Sequence, residues 1–302
     1  MLKAGDRIGI VCCSDGQKHS DSRKIKYLET ILRKMGFFVC FSDCIYETES
    51  GFGKTAGERA RALMQFYKDS AVKGIFDISG GDLANGILPY LDYDVIANSE
   101  KVFWGYSDLT AVINAVYAKT GKASVLYQIC NLVKEPVREL HSMEEVPSMG
   151  KGHLNEKRFT EFQNSVIKGT DDLFRINYRF LQQKEMRGTV VGGNIRCFLK
   201  LAGTEFMPDL QGKILLLESR SGTAPRIEAY LRQLQQLGAF KKAAGILLGT
   251  FTQMTAEKCI PTVETLLCEI AGKELPIAVT PDVGHGVDAK GIVIGEELRL
   301  GT

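Results

Sequence analysis

A serine, a glutamate and a histidine, each just past a β-prone run, are the residues of this chain whose types and spacing fit one chemistry. Ser107 lies in Gly105-Tyr106-Ser107-Asp108-Leu109, where the β-prone run 101–105 passes directly into an apolar helical one. A glycine two positions before a serine lets the chain turn sharply and pushes the hydroxyl out of the fold, which is half of a nucleophile elbow. The other half is missing, because Leu109 stands where the pattern has glycine. A serine followed by aspartate ahead of an apolar helix also reads as an N-cap. Glu218 ends the apolar run 213–217. A carboxylate at the carboxyl end of a buried strand stands where α/β folds place their sites, and it needs a partner there, whether catalytic or an arginine such as Arg220. Among four histidines, His285 follows a strand-like run late in the chain, and Gly284 and Gly286 leave its imidazole little local cover. His19 lies among polar residues, and His141 and His153 fall in an irregular stretch.

Taken together the three fit acyl transfer. The histidine takes the serine proton, the glutamate fixes the tautomer and stabilises the imidazolium, and a triad is defined by geometry rather than by chain order. The tetrahedral oxyanion needs donors. The backbone N–H of Asp108 and one from the Gly80-Gly81 turn are on offer.

The elements that must position these residues follow from periodicity. Residues 7–12 read as a buried strand, 22–35 as an amphipathic helix through Ile25, Leu28, Ile31, Leu32 and Met35, and 37–41 as a second strand. Helix 58–67, strand 74–79, strand 101–105, helix 108–120 and strand 124–130 continue the alternation, which implies a parallel-sheet α/β domain over residues 1–168. Residues 134–155 break the pattern, and helical spacing returns over 155–168. A linker is expected at 169–186, followed by a second alternating domain over 187–302 whose last stretch, 291–300, alternates like a closing hairpin. Gly53-Lys54-Thr55 has the tail of a phosphate-binding loop but neither its first glycine nor a strand closely before it.

Composition narrows the class. At 302 residues the chain exceeds one typical core, and 44% apolar with 25% charged residues is ordinary for a soluble globular protein. A formal net charge of +2 without a long basic block gives no footprint for nucleic acid. The apolar run at 8–13 is too short for a signal peptide or membrane span, and no later run approaches membrane length. The eight cysteines lack a C-x-x-C pair, so they are expected as buried free thiols of a cytoplasmic protein, with neither zinc nor disulfides.

A resemblance emerges from the order of LKAGDRIGIV, ERARAL, KGIFDISGGD, LPYLDYD, GYSDLT, GGN, LAGTEFMPDLQGKILLLES and VGHG along nearly the whole chain. The set resembles the S66 serine peptidases, which comprise the LD-carboxypeptidases of bacterial murein recycling and the related microcin C immunity proteins. The resemblance implies a triad of Ser107, Glu218 and His285 and an oxyanion hole from the N–H groups of Gly81 and Asp108. It also implies a flavodoxin-like parallel-sheet N-terminal domain, a smaller barrel-like α/β C-terminal domain, an active site in the cleft between them, a homodimer, and no metal or cofactor. Where LD-carboxypeptidases usually carry Arg-Gly-Gly-Tyr-Gly, this chain has Ser79-Gly80-Gly81-Asp82-Leu83-Ala84-Asn85, closer to the microcin-immunity branch. Where the family often has Gly-Pro after the nucleophile helix, it has Leu126-Tyr127-Gln128-Ile129-Cys130.

The function expected is a serine peptidase that hydrolyses an amide bond near the C-terminus of a small peptide, foremost an LD-carboxypeptidase releasing D-Ala from murein tetrapeptide. The alternative within the family is a microcin C immunity-type hydrolase of aminoacyl or peptidyl nucleotide conjugates. The alternative from another class is a non-catalytic two-lobed protein that closes on a small ligand, with Ser107 only a helix cap. Arg196 and Arg220 are candidates to clamp a terminal carboxylate, and Asp82 and Asn85 are further candidates for substrate contact.

Overall fold

The structure is a computed structural model that describes residues 2–50, 52–133, 155–183 and 185–301. The irregular stretch 134–154, with His141 and His153, lies outside the described residues. Strands β1 (Arg7–Val11), β2 (Phe38–Phe41), β3 (Val72–Asp77), β4 (Val102–Gly105) and β5 (Ser124–Leu126) pair in parallel in the order β5-β4-β3-β1-β2. This is the strand order of flavodoxin-like sheets. Residues 8–11 of β1 are all buried, as expected of a parallel strand covered on both faces. The helix Ser22–Lys34 turns Ile25, Leu28, Ile31 and Leu32 onto the sheet. The helix Ala56–Lys68 starts with a capping box in which Thr55 and Glu58 bond reciprocally. That cap, with Lys54 paired to Asp43 at 3.3 Å, occupies the residues that resemble a phosphate loop.

The second sheet is built from β6 (Arg179–Gln182), β7 (Met186–Asn194), β8 (Lys213–Ser219), β9 (Gly245–Phe251) and β10 (Ile277–Val279). Strands β7 to β10 run parallel, and β6 pairs antiparallel with β10 at one edge. Residues 169–186, expected as a linker, therefore contain a strand. An edge strand has one partner and one covered face, so β6 needs little apolar sequence and reads as a connection. The chain then closes through β11 (Ile292–Ile294) and β12 (Glu297–Leu300), which do not form the expected hairpin. β11 lies antiparallel to β5 in the first sheet, and β12 lies antiparallel to β7 in the second. Two strands in different sheets alternate with the same period as a hairpin. The crossing is made at Gly295 and Glu296, where Gly295 N donates to Val190 O and Val190 N donates to Glu296 O, each at 2.9 Å. The expected strand 124–130 ends at Leu126, and Ile129–Val133 forms a 3₁₀ helix. Five of the eight cysteines are buried, and Cys40, Cys259 and Cys268 are half-buried.

The helix Thr110–Thr120 lies between the sheets, with every residue from Thr110 to Val116 buried. Asn114 acts there as a piece of backbone. Its Nδ2 donates to Gly192 O and its Oδ1 accepts from Gly192 N, both at 2.8 Å, while Thr110 Oγ1 accepts from Asn194 N at 3.0 Å. Gly193 permits the approach, since a Cβ there would come within 2.8 Å of Thr110 Oγ1. Below this seam, Asp77 ends β3 fully buried and accepts from Cys13 N and Ser79 N, each at 2.7 Å, and from Ser79 Oγ. Burial outweighs these bonds and pushes its carboxyl up to about 6.

Two outcomes are expected. Asn114→Ala leaves the N–H and C=O of Gly192 buried without partners, which costs about 2–5 kcal/mol in urea unfolding; a loss below about 1 kcal/mol would show that Asn114 does not hold the seam. Because the Asp77 carboxyl titrates higher folded than unfolded, the native state binds the extra proton between roughly pH 4 and pH 6. Its contribution is full below that window and is lost as pH rises through it, by on the order of 3 kcal/mol. Asp77→Asn removes this slope, so the stability difference between variant and wild type moves in the variant's favour from pH 4 to pH 7. A pH-independent difference in denaturant midpoints contradicts the assignment.

Candidate active site

The end of β4 delivers Ser107 in an unusual backbone state. Its φ is +58°, a left-handed conformation that few residues other than glycine adopt. Gly105 makes the turn possible, because a Cβ there would lie 2.8 Å from the Cβ of Leu109. The leucine that interrupts the elbow pattern thus packs directly over the glycine that completes it. Ser107 does not cap the short helix Ser107–Leu109: Tyr106 stands at the N-cap, and there is no side-chain capping bond. The hydroxyl points instead to His285, with Oγ 3.0 Å from Nε2.

His285 comes from the loop after β10. Asp282 fixes that loop by accepting from Asn177 N at 2.6 Å and Asn177 Nδ2 at 2.9 Å, and Val283 O accepts from Thr250 N at 2.8 Å. The Tyr106 ring meets the imidazole edge-on, with centroids 5.0 Å apart. Nδ1 of His285 lies 2.7 Å from Glu218 Oε2. Glu218 is fully buried near the end of β8. Its other oxygen accepts from Asn194 Nδ2 at 3.1 Å, directly across the β7–β8 pairing. Burial, and next the charge of Glu218, push the Tyr106 phenol well above its usual range. The hydroxyl is near enough to feel that charge but meets no partner at hydrogen-bond geometry among the described residues. With Nδ1–H donated to the carboxylate, Nε2 is free to accept the serine proton. The site is open: Ser107 and His285 are half-buried while Glu218 is sealed beneath them.

The expected oxyanion donors come from the turn after β3 and from the residue that follows Ser107. Gly81 has φ +120°, and the Asp15 carboxylate packs against its Cα where any side chain would stand. Burial, and then the charge of Asp108, raise the Asp15 carboxyl. The Asp108 N–H opens a helix, where its own first turn offers no acceptor. Arg196 and Asp82 meet one another: the guanidinium pairs with the Asp82 carboxylate and donates to Gly81 O at 2.9 Å. Arg220 is exposed after β8 and pairs with no carboxylate among the described residues, so it is not the partner of Glu218. Asn85 is exposed, and no side-chain hydrogen bond holds it among the described residues. Among the described residues no group of three or more His, Cys, Asp or Glu side chains is placed to hold a metal ion.

Sequence reasoning passed over Asn194 as a site residue. The signal was present, since an asparagine between a glycine-ended strand and an apolar helix reads as an N-cap. Asn194 does cap the helix Ile195–Leu199, with Oδ1 accepting from Cys197 N. Its second bond, to Glu218, is tertiary and leaves no local trace.

Comparison with known proteins finds matches over both halves of the chain. A family model for the LD-carboxypeptidase N-terminal domain matches residues 8–127, and one for the C-terminal domain matches residues 187–300. The microcin C7 self-immunity protein MccF of Escherichia coli is 25% identical over 99% of this chain and 91% of its own. A wild-type apo structure of MccF superposes with a TM-score of 0.82 over 99% of this chain and 94% of that one, at 21% identity. A protein of Bacillus subtilis named as a probable murein peptide carboxypeptidase is 24% identical over 100% of this chain and 90% of its own. The muramoyltetrapeptide carboxypeptidase of Oxalobacter formigenes superposes with a TM-score of 0.75 over 98% of this chain and 95% of that one, at 22% identity. Since both domain models match, in order and on either side of the seam that joins serine to histidine, the chain belongs to the S66 peptidases, the LD-carboxypeptidase family.

Proposed function

We propose that the protein is a serine carboxypeptidase that releases the terminal D-Ala of a murein tetrapeptide through a Ser107–His285–Glu218 triad. The observation that supports this most directly is the unbroken line from Ser107 Oγ to His285 Nε2 and from Nδ1 to Glu218 Oε2, at 3.0 and 2.7 Å. In this reading Ser107 Oγ attacks the scissile carbonyl as His285 takes its proton. The oxyanion is met by the N–H groups of Gly81 and Asp108. Protonated His285 hands the proton to the leaving amine, the C–N bond breaks, and an acyl-serine remains. Water then attacks with His285 again as base, and Ser107 leaves with its proton restored. Glu218, held by Asn194, keeps the imidazole in its working tautomer and stabilises the imidazolium. A non-catalytic ligand-binding lobe has no need to spend a strained serine on an imidazole, which speaks against the two-lobed binding alternative.

The second reading is hydrolysis of an aminoacyl or peptidyl nucleotide conjugate. It is favoured by the Gly80-Gly81-Asp82-Leu83-Ala84-Asn85 turn and by likeness to MccF, one structure of which is a complex with aspartyl sulfamoyl adenosine. Both readings use the same triad on different leaving groups. Within the proposal the enzyme acts as a homodimer in the cytoplasm; among the described residues no helix is long and apolar enough to cross a membrane.

Mass spectrometry of purified protein incubated with a murein tetrapeptide or with an aminoacyl-sulfamoyl adenosine separates the readings. Release of D-Ala supports the first, and cleavage of the conjugate alone supports the second. Ser107→Ala is expected to abolish either reaction, and Glu218→Gln to lower kcat at least about a hundredfold by allowing the wrong tautomer. Equal turnover by Ser107→Ala removes the nucleophile from the scheme.

A further inference from the structure

The helix Ile195–Leu199 starts at Asn194, the residue that holds Glu218, and sends two cations back across the seam to the turn that carries Gly81. Lys200, at its C-cap, donates to Asp82 O at 2.8 Å and to the Asp108 carboxylate. Arg196, one turn earlier, donates to Gly81 O and pairs with Asp82. Asp108 is fully buried, and its carboxylate also accepts from Ser14 Oγ at 2.6 Å and from Ala84 N at 2.8 Å.

These contacts fix one peptide plane after another. The Gly80 carbonyl accepts from Asp15 N at 3.2 Å, and because a trans peptide points its N–H opposite its C=O, this bond aims the Gly81 N–H. Arg196 holds the carbonyl of the next plane, and Lys200 holds that of the plane after it. Glycine at φ +120° has no side chain to select this conformation, so bonds from outside must do so. The second donor, Asp108 N–H, belongs to the residue whose carboxylate Lys200 grips. Three carboxylates, of Asp15, Asp82 and Asp108, sit on or beside the two donor residues, Gly81 and Asp108. Arg196 and Lys200 are the cations bound to two of them, and Arg59 donates to Leu83 O at 3.1 Å on the far side of the turn.

We infer that Lys200, seconded by Arg196, is a positioning residue for the oxyanion hole: it sets the separation of the Gly81 and Asp108 donors and places positive charge behind them. The inference rests on the proposed catalytic reading. It also gives Arg196 a different task from the clamp on a substrate carboxylate for which its type first suggested it. The turn it holds is the one where this chain departs from the usual LD-carboxypeptidase run.

Two readouts test it on Lys200→Met, Lys200→Arg and Arg196→Gln: kcat and KM on whichever compound the wild type cleaves, and the rate at which a fluorophosphonate labels Ser107. In the labelling, Ser107 Oγ displaces fluoride from phosphorus and the phosphoryl oxygen enters the oxyanion hole. Lys200→Met is expected to lower kcat roughly ten- to hundredfold with KM within about threefold, less than the loss of a donor itself, and to slow labelling by a similar factor. Lys200→Arg is expected to restore most of both. Arg196→Gln, at a half-exposed site that strands no buried charge, is expected to lose kcat in the same sense even if Lys200→Met folds poorly. Wild-type labelling rates in both Lys200→Met and Arg196→Gln, or a change confined to KM, overturn the inference alone. Failure of wild-type Ser107 to label overturns the catalytic reading, and the inference with it.

Discussion

The hydrogen bond between Ser107 and His285 joins residues 178 positions apart, and the two belong to different parts of the fold. Ser107 hangs from β4 in the first sheet, whereas Glu218 and the His285 loop belong to the second. A donor–acceptor distance near 3 Å tolerates little sliding, so this contact, and the catalysis proposed for it, depends on how rigidly the sheets are locked. The lock is made of backbone bonds completed by side chains. Asn114 gives Gly192 the donor and acceptor that a neighbouring strand would supply, and Thr110 takes the N–H of Asn194. The chain end adds a second tie by running β11 along the first sheet and β12 along the second. Such bonds are directional and buried, so they fail together rather than gradually.

How far the sequence discloses this depends on the range of the interaction. The parallel sheet was legible because buried strands and amphipathic helices write their burial into local periodicity, as in residues 7–11 and 22–34. Glu218 and His285 were legible because a lone carboxylate after an apolar run and a histidine between glycines are locally odd. Asn194 and Lys200 were not read as site residues, since an asparagine before a helix and a lysine after one are locally ordinary. Their importance lies in partners 24 and 92 residues away. β6 and the split between β11 and β12 were missed for a related reason: period-two alternation records that a strand has two faces, not which sheet it joins.

Polar burial follows one rule at three buried carboxylates. Asp77 meets two backbone N–H groups and a serine hydroxyl. Glu218 divides its two oxygens between Asn194 and His285. Asp108 is tied to the ammonium of Lys200, half-buried at the seam. In each case, leaving the carboxylate unpaired would cost more than any single bond contributes. The carboxylates therefore act as fixed points around which the Ser79–Ala84 turn, the imidazole and the seam are arranged.

The same logic separates what relatives share from what distinguishes them. Relatives described as murein carboxypeptidases and as a microcin self-immunity protein match this chain end to end at similar identity. A difference in substrate between them cannot lie in the triad if the triad serves both, so it must lie in whatever faces the leaving group. In this chain the turn around Asp82 is fastened from across the seam by Arg196 and Lys200. Its acidic side chain, exposed as it is, is consequently held in an ion pair rather than left as a free surface charge.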